Sequence, residues 1–303
     1  MFKVFQLFTA CALLSQSALA GVDTSQLKGK LYYTGLSENG WQVFLHDFSS
    51  KKEQQLTASP GDKRAPTWVP SMNKIVYKNA LGQICSVDQN GEESVLVKGV
   101  KTCAHFTVSH DGQDIYYTRL LANNPLRQSL WHANAADGFS NPKLIYRMPK
   151  GSIRNVAISP AGKTIALSHV WRDNEERILL LDLVELKTNP GTKVKHITPE
   201  LKTAAFPRYT PSGETIIYTK RVNRGNYDLF TYSLADDKSS LLFATEATSE
   251  FYPWISPDSH WLFYELRENA GNAIAVYDMT SKEHSPIALP RPAKEPCFIA
   301  PVK

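Results

Sequence analysis

Short runs rich in valine, isoleucine, tyrosine and phenylalanine alternate along the chain with tight polar turns. Residues 66–77 read PTWVPSMNKIVY, 105–117 HFTVSHDGQDIYY, 155–167 NVAISPAGKTIAL, 206–218 FPRYTPSGETIIY and 251–264 FYPWISPDSHWLFY; a truncated copy, CFIAP, occupies 297–301. β-branched and aromatic runs of this length favour strands. Their anchors, Pro70, His110, Pro160, Pro211, Pro257 and Pro301, are separated by 40, 50, 51, 46 and 44 residues. A recurrence at such a period marks stacked supersecondary units. Each unit has one grammar. A first strand runs into a Ser/Thr-Pro step or its equivalent, and a turn such as HDG, PAG or PSG supplies the backbone geometry. A second strand follows (KIVY, DIYY, TIAL, TIIY, WLFY), then a third such as RILLLDL or YDLFTYS and a fourth such as PKLIY or SLLFA. Four antiparallel strands per repeat, arranged around an axis, form a propeller blade.

The chain ends complete the count. KLYYTG (30–35), WQVFLHDF (41–48) and EQQLT (53–57) read as second, third and fourth strands without a first, and CFIAP reads as a first strand without successors. The expectation is an all-β, six-bladed propeller of four-stranded antiparallel blades over residues 21–303, closed by pairing of its N- and C-terminal strands. Closure removes the exposed edges of an open array.

The repeat resembles the TolB-type β-propeller repeat, best in LTASPGDKRAPTWVPSMNKIVY (56–77) and YPWISPDSHWLFY (252–264). The resemblance implies a periplasmic binding scaffold. TolB itself places such a propeller behind an N-terminal α/β domain, works in the Tol–Pal system and binds the lipoprotein Pal. Here the first strand is expected near Lys30, which leaves no room before it for that domain. Prolyl-oligopeptidase-type peptidases carry similar propellers next to a catalytic domain, and oligogalacturonate lyases use TolB-like repeats with a histidine-held metal.

Ser256, Asp258 and His260 have the residue types of a hydrolase triad, but they are one edition of the repeated turn. The Ser256 position holds Val69, Ser109, Ser159 and Thr210 elsewhere, and the His260 position holds Asn73, Gln113, Lys163 and Glu214. A triad needs a chain of hydrogen bonds that residues crowded on one turn rarely make. No GxSxG elbow is present either, so no catalytic residue is assigned.

In a propeller the fourth-to-first and second-to-third connections share one face, and binding residues concentrate in such loops. Here that face carries more basic than acidic residues. Arg119, Arg127, Arg154, Arg172, Arg221, Arg224 and Arg267 would be forks for carboxylates, with Trp171, Phe206, Phe251 and Tyr252 as aromatic anchors. His105, Asn155 and Glu250 precede first strands of different blades and are candidates for the channel mouth. The expected partner is a protein or peptide of acidic character. A lyase or hydrolase acting on carbohydrate, or a glycan- or small-ligand-binding propeller, is the alternative.

Composition adds the compartment. MFK, the apolar VFQLFTACALL and Ala18-Leu19-Ala20 form a signal peptide over residues 1–20, with cleavage after Ala20. Phe8-Thr9-Ala10 before Cys11 is a poor lipobox. The reading is export to the periplasm, with no membrane span. Loss of Lys3 takes the net charge from +5 to +4, too mild for a nucleic-acid partner. Cys85, Cys103 and Cys297 remain, an odd number that leaves a free thiol. Cys85 and Cys103 could pair, and buried unpaired thiols are the simpler reading. No Cys/His spacing suggests a metal site, since His46, His110, His132, His169, His196, His260 and His284 are scattered. No cofactor is expected, and the chain is read as a monomer.

Overall fold

The computed structural model describes residues 21–301, apart from 122–123, 149, 173–174, 189–193, 199–202, 224, 246–247 and 269–270. Residues 1–20, expected from the sequence to be a signal peptide, lie outside the described residues. Among the described residues, twenty-four strands form six four-stranded antiparallel sheets. Strands β1 (Lys30–Ser37), β2 (Gly40–Asp47) and β3 (Lys52–Gln55) belong to blade I. Blade II is β4 (Arg64–Val69), β5 (Lys74–Lys78), β6 (Ile84–Val87) and β7 (Glu93–Val95). Blade III is β8 (Cys103–Val108), β9 (Asp114–Leu121), β10 (Asn124–Asn134) and β11 (Lys143–Arg147).

Blade IV is β12 (Ser152–Ile158), β13 (Thr164–Arg172), β14 (Glu175–Asp182) and β15 (Lys195–His196), with the short helix α1 (Leu183–Thr188) between its last two strands. Blade V is β16 (Ala204–Tyr209), β17 (Thr215–Arg221), β18 (Tyr227–Ser233) and β19 (Lys238–Phe243). Blade VI is β20 (Ser249–Ile255), β21 (Trp261–Glu268), β22 (Gly271–Asp278) and β23 (His284–Pro286). The last strand, β24 (Ala293–Ile299), is the inner strand of blade I. It pairs with β1 in a register that sets Phe298 opposite Leu31 and Cys297 opposite Tyr32. The six-bladed ring closed by both chain ends, expected from the repeat, is the fold found.

The hydrophobic core lies in the seams between blades. Each of six apolar clusters draws on two neighbouring blades. The I–VI seam joins Leu31, Phe44 and Phe298 to Phe263 and Val276. Burying both faces of a sheet explains why strands such as TIAL and WLFY are apolar almost throughout. Cys85, Cys103 and Cys297 are all buried and free, so Cys85 and Cys103 are not joined.

The repeated turn between first and second strands is a polar tile. Ser256 Oγ donates to Asp258 and accepts from the Trp261 N–H at 2.9 Å. Ser109 does the same with Asp111 at 2.6 Å and the Asp114 N–H at 2.9 Å, and Ser159 and Thr210 accept from Thr164 and Thr215. His260 turns away from Ser256, its Nε2 lying 3.8 Å from Asp278. The triad-like string is thus a backbone fastening.

Candidate functional site: the channel mouth on the loop face

Every inner strand breaks register with its neighbour near its start. An added residue there bulges the strand and re-aims its side chain. The residues at these breaks are Glu295, Ala65, His105, Asn155, Phe206 and Tyr252, one from each blade in turn. Four of them, Ala65, Phe206, Tyr252 and Glu295, have φ of 50–55° and precede a proline. Positive φ in a bulky residue such as Phe or Tyr is unfavourable and is held only by its surroundings, a condition common at binding sites.

Behind this ring lies a second one from the second strands: Thr34, Lys78, Thr118, Ser168, Thr219 and Glu265. Thr34 Oγ1 donates to Glu295 at 2.9 Å, Lys78 Nζ to the Ala104 carbonyl at 2.8 Å, and Thr219 Oγ1 to the Glu250 carbonyl at 3.1 Å. Glu295 also accepts from Arg64 Nε and the Ala65 N–H, both at 2.8 Å, which ties blade I to blade II. Burial alone would raise the Glu295 carboxyl. The Arg64 charge and these bonds overcome it and hold the group below the ordinary carboxylate value.

His105 and Asn155 meet, with Asn155 Nδ2 donating to His105 Nδ1 at 3.1 Å. The string continues away from the axis through blade IV, because Ser168 Oγ lies 2.9 Å from Asn155 Oδ1 and 2.6 Å from Glu176 Oε1. One hydroxyl hydrogen cannot serve two acceptors. If Ser168 donates to Asn155, Glu176 must carry a proton, and burial does raise its carboxyl. The chain of donors leaves His105 neutral with its proton on Nε2. Burial, aided by the Lys78 charge, pushes the imidazole down to about 3, so it stays neutral at physiological pH.

Glu250 does not join this pair. It is fully buried and takes hydroxyl bonds from Thr245 at 2.5 Å and Thr248 at 3.0 Å. Burial pushes its carboxyl up to about 7, with Asp228 adding to the rise. One oxygen of each carboxyl, Glu250 Oε2 and Asp228 Oδ1, is buried without a partner among the described residues.

The aromatic candidates cluster. Phe206 lies 4.1 Å from Tyr252 and 5.9 Å, edge-on, from Phe251, ring centroid to centroid. Arg267 stacks 4.1 Å over Phe251 while its Nε donates to Glu265 at 2.6 Å. Arg154 is exposed at the start of β12. Arg119 sits over the Trp131 ring at 5.0 Å, and Trp171 stands apart, 42% exposed beside His169 and Lys150. Arg221 is half-buried at the end of β17. Arg224 and the side chains of Arg127 and Arg172 lie outside the described residues. Among the described residues no group of three or more His, Cys, Asp or Glu could hold a metal.

Sequence reasoning passed over Arg64, Lys78, Glu265 and Glu295, and also Arg208 at the opposite end of the channel. Stacking the repeats would have singled out Lys78, Glu265 and Arg208. Lys78 and Glu265 replace a hydroxyl residue at one strand-two position, and Arg208 replaces Thr67, Thr107, Ala157, Trp254 or Cys297 at one strand-one position.

No protein-family model matches the sequence, and no curated protein matches it. Solved structures do. TolB from Acinetobacter baumannii superposes with a TM-score of 0.72 at 17% identity, over 89% of this chain and 66% of that one. This chain therefore spans just under two thirds of that protein. A putative TolB from Agrobacterium tumefaciens gives 0.70 at 12% identity, over 90% and 93%. An oligogalacturonate lyase in complex with manganese gives 0.60 at 14%, over 86% and 74%. Identities this low speak to fold alone: the chain is a TolB-like six-bladed β-propeller.

Proposed function

We propose that the protein is an exported, non-enzymatic binding scaffold of the bacterial envelope, and that it docks an acidic protein or peptide on its loop face. The observation that carries this reading is the channel mouth. Arg64, Lys78, Arg154, Lys294 and Arg267 surround it, with Glu265 and Glu295 as the carboxylates among them, next to the Phe206–Phe251–Tyr252 cluster. Clustered aromatics with guanidinium groups are the usual anchors of a protein interface, and a cationic rim speeds the approach of an acidic partner. The neutral His105 can add a directed N–H. Residues 1–20 support export as a signal peptide, and among the described residues no helix is long and apolar enough to cross a membrane. The TolB structures support a place in the periplasm.

The test is affinity capture from envelope extract with the native protein and with R154E/R267E. The expected result is one saturable protein partner, weakened by salt, lost in R154E/R267E and retained in K163E, whose lysine is exposed on the opposite face. Capture unaffected by R154E/R267E removes this face from the function. Elemental analysis of the same preparation is the second arm. A stoichiometric divalent ion would favour the lyase reading that the manganese-bound neighbour raises.

A further inference from the structure

The far end of the axial channel, beneath the first-to-second-strand turns, holds a cavity of about 350 Å³ to which all six blades contribute. That volume is at the small end of pockets that take small molecules. Its walls are largely apolar, with Trp68, Trp254, Phe298, Ile158 and Ile255 among the lining side chains. The walls are also fixed. Trp254 Nε1–H is held by the Phe298 carbonyl at 2.9 Å. Trp68 stacks on Tyr32 with the planes 2° apart and the centroids at 5.7 Å. A cavity with pinned walls spends little of its binding energy on ordering.

Into this cavity comes one guanidinium. Arg208 lies 4.4 Å from the centre of the Trp254 ring and lines the lumen. Among the described residues it has no hydrogen-bond or ion-pair partner, whereas Arg64 and Arg267, two of the three arginines placed at the opposite mouth, are each paired with a carboxylate. Burial pushes its proton affinity down to about 10, so the group is still a cation at neutral pH. A partly desolvated cation without a counter-charge is costly to the fold. A planar fork stacked on an indole, its donors unused, is suited to a carboxylate.

We propose that this cavity binds a small organic monocarboxylate with a flat or branched apolar end, the carboxylate taking the Arg208 fork and the apolar end lying among Trp68, Trp254 and Phe298. The site lies on the opposite face from the docking surface proposed above and does not depend on it.

The probe is 4-phenylbutyrate, titrated into the full mature protein by calorimetry and by quenching of tryptophan fluorescence at pH 7.5. The comparison ligands are 4-phenyl-1-butanol, 4-phenylbutylamine, acetate and inorganic phosphate. The expected result is one submillimolar site for the acid, about tenfold or more tighter than for the alcohol, amine or acetate. R208Q should lose about tenfold in affinity while its thermal midpoint stays the same or rises, since an unpaired buried charge has gone. K52E, at an exposed lysine on the outermost strand of blade I, should bind the probe unchanged. Equal affinity for acid and alcohol, equal affinity for phosphate, unaltered binding in a folded R208Q, or no saturation by about 10 mM acid would each overturn the assignment.

Discussion

At the scale of single residues, the ring of buried polar groups stores more electrostatic information than the apolar seams do. Glu250 is the clearest case. Its carboxyl ordinarily titrates near 4.5, and burial moves it to about 7 in the folded chain. Below pH 4.5 both folded and unfolded chains hold the proton and Glu250 adds no pH dependence. Between 4.5 and 7 the unfolded chain releases it while the folded chain retains it, so stability falls as pH rises. The fall is complete above pH 7 and amounts to at most about 3 kcal/mol. Glu250→Gln keeps an acceptor for Thr245 and Thr248 but cannot ionise. The variant should match the native protein in urea midpoint at pH 4.5 and exceed it at pH 8. A native protein whose midpoint does not fall between these pH values would mean that Glu250 ionises normally.

At the scale of the element, the turn tile shows what a repeat does for interpretation. Ser256 is fully buried, and its hydroxyl serves the Trp261 N–H and Asp258 at once. Ser256→Ala leaves that backbone donor without its side-chain partner and should cost about 1–2 kcal/mol in denaturant unfolding. His260→Ala loses a half-exposed side chain with long contacts to Asp278 and Thr280 and edge-on packing against Trp261, and should cost less than about 1 kcal/mol. The strands, the turns and the blade count were legible because each recurs, so every copy checks the others. The bulge ring was legible only in part. Tyr252-Pro253 and Phe206-Pro207 are visible in the repeat, but the meeting of their rings rests on backbone with φ of 50° and 53°, which no propensity encodes. His105 and Asn155 stood out as polar residues before inner strands, and their contact depends on two adjacent blades meeting at the axis. Arg64, Lys78 and Glu295 went unread because Lys and Arg normally signal solvent. Here the ring encloses them, and they answer one another across seams between residues as far apart as 64 and 295.

At the scale of the whole molecule, one strand does the work of closure. β24 supplies the inner strand of blade I and packs against blade VI, where Phe298 stacks on Phe263 with centroids 4.5 Å apart and planes at 18°. It also sets Glu295 between Thr34 and Arg64. The same strand therefore fixes the sheet, the seam core and the charged mouth. Phe298 is 3% exposed, so Phe298→Ala should cost about 3–5 kcal/mol, whereas Leu241→Ala on the outermost strand of blade V, at a residue 56% exposed, should change little. Removing residues 293–303 is a different perturbation. It leaves β1 with an unpaired edge, bares Leu31 and Phe44, and strips Arg64 of its counter-charge. The expected outcome is loss of a single cooperative thermal transition together with self-association in light scattering, since an open edge pairs with another chain. A truncated chain that stayed monomeric and melted in one transition near the native midpoint would show that the ring is stable without its clasp. The charged mouth would then have to be explained without Glu295.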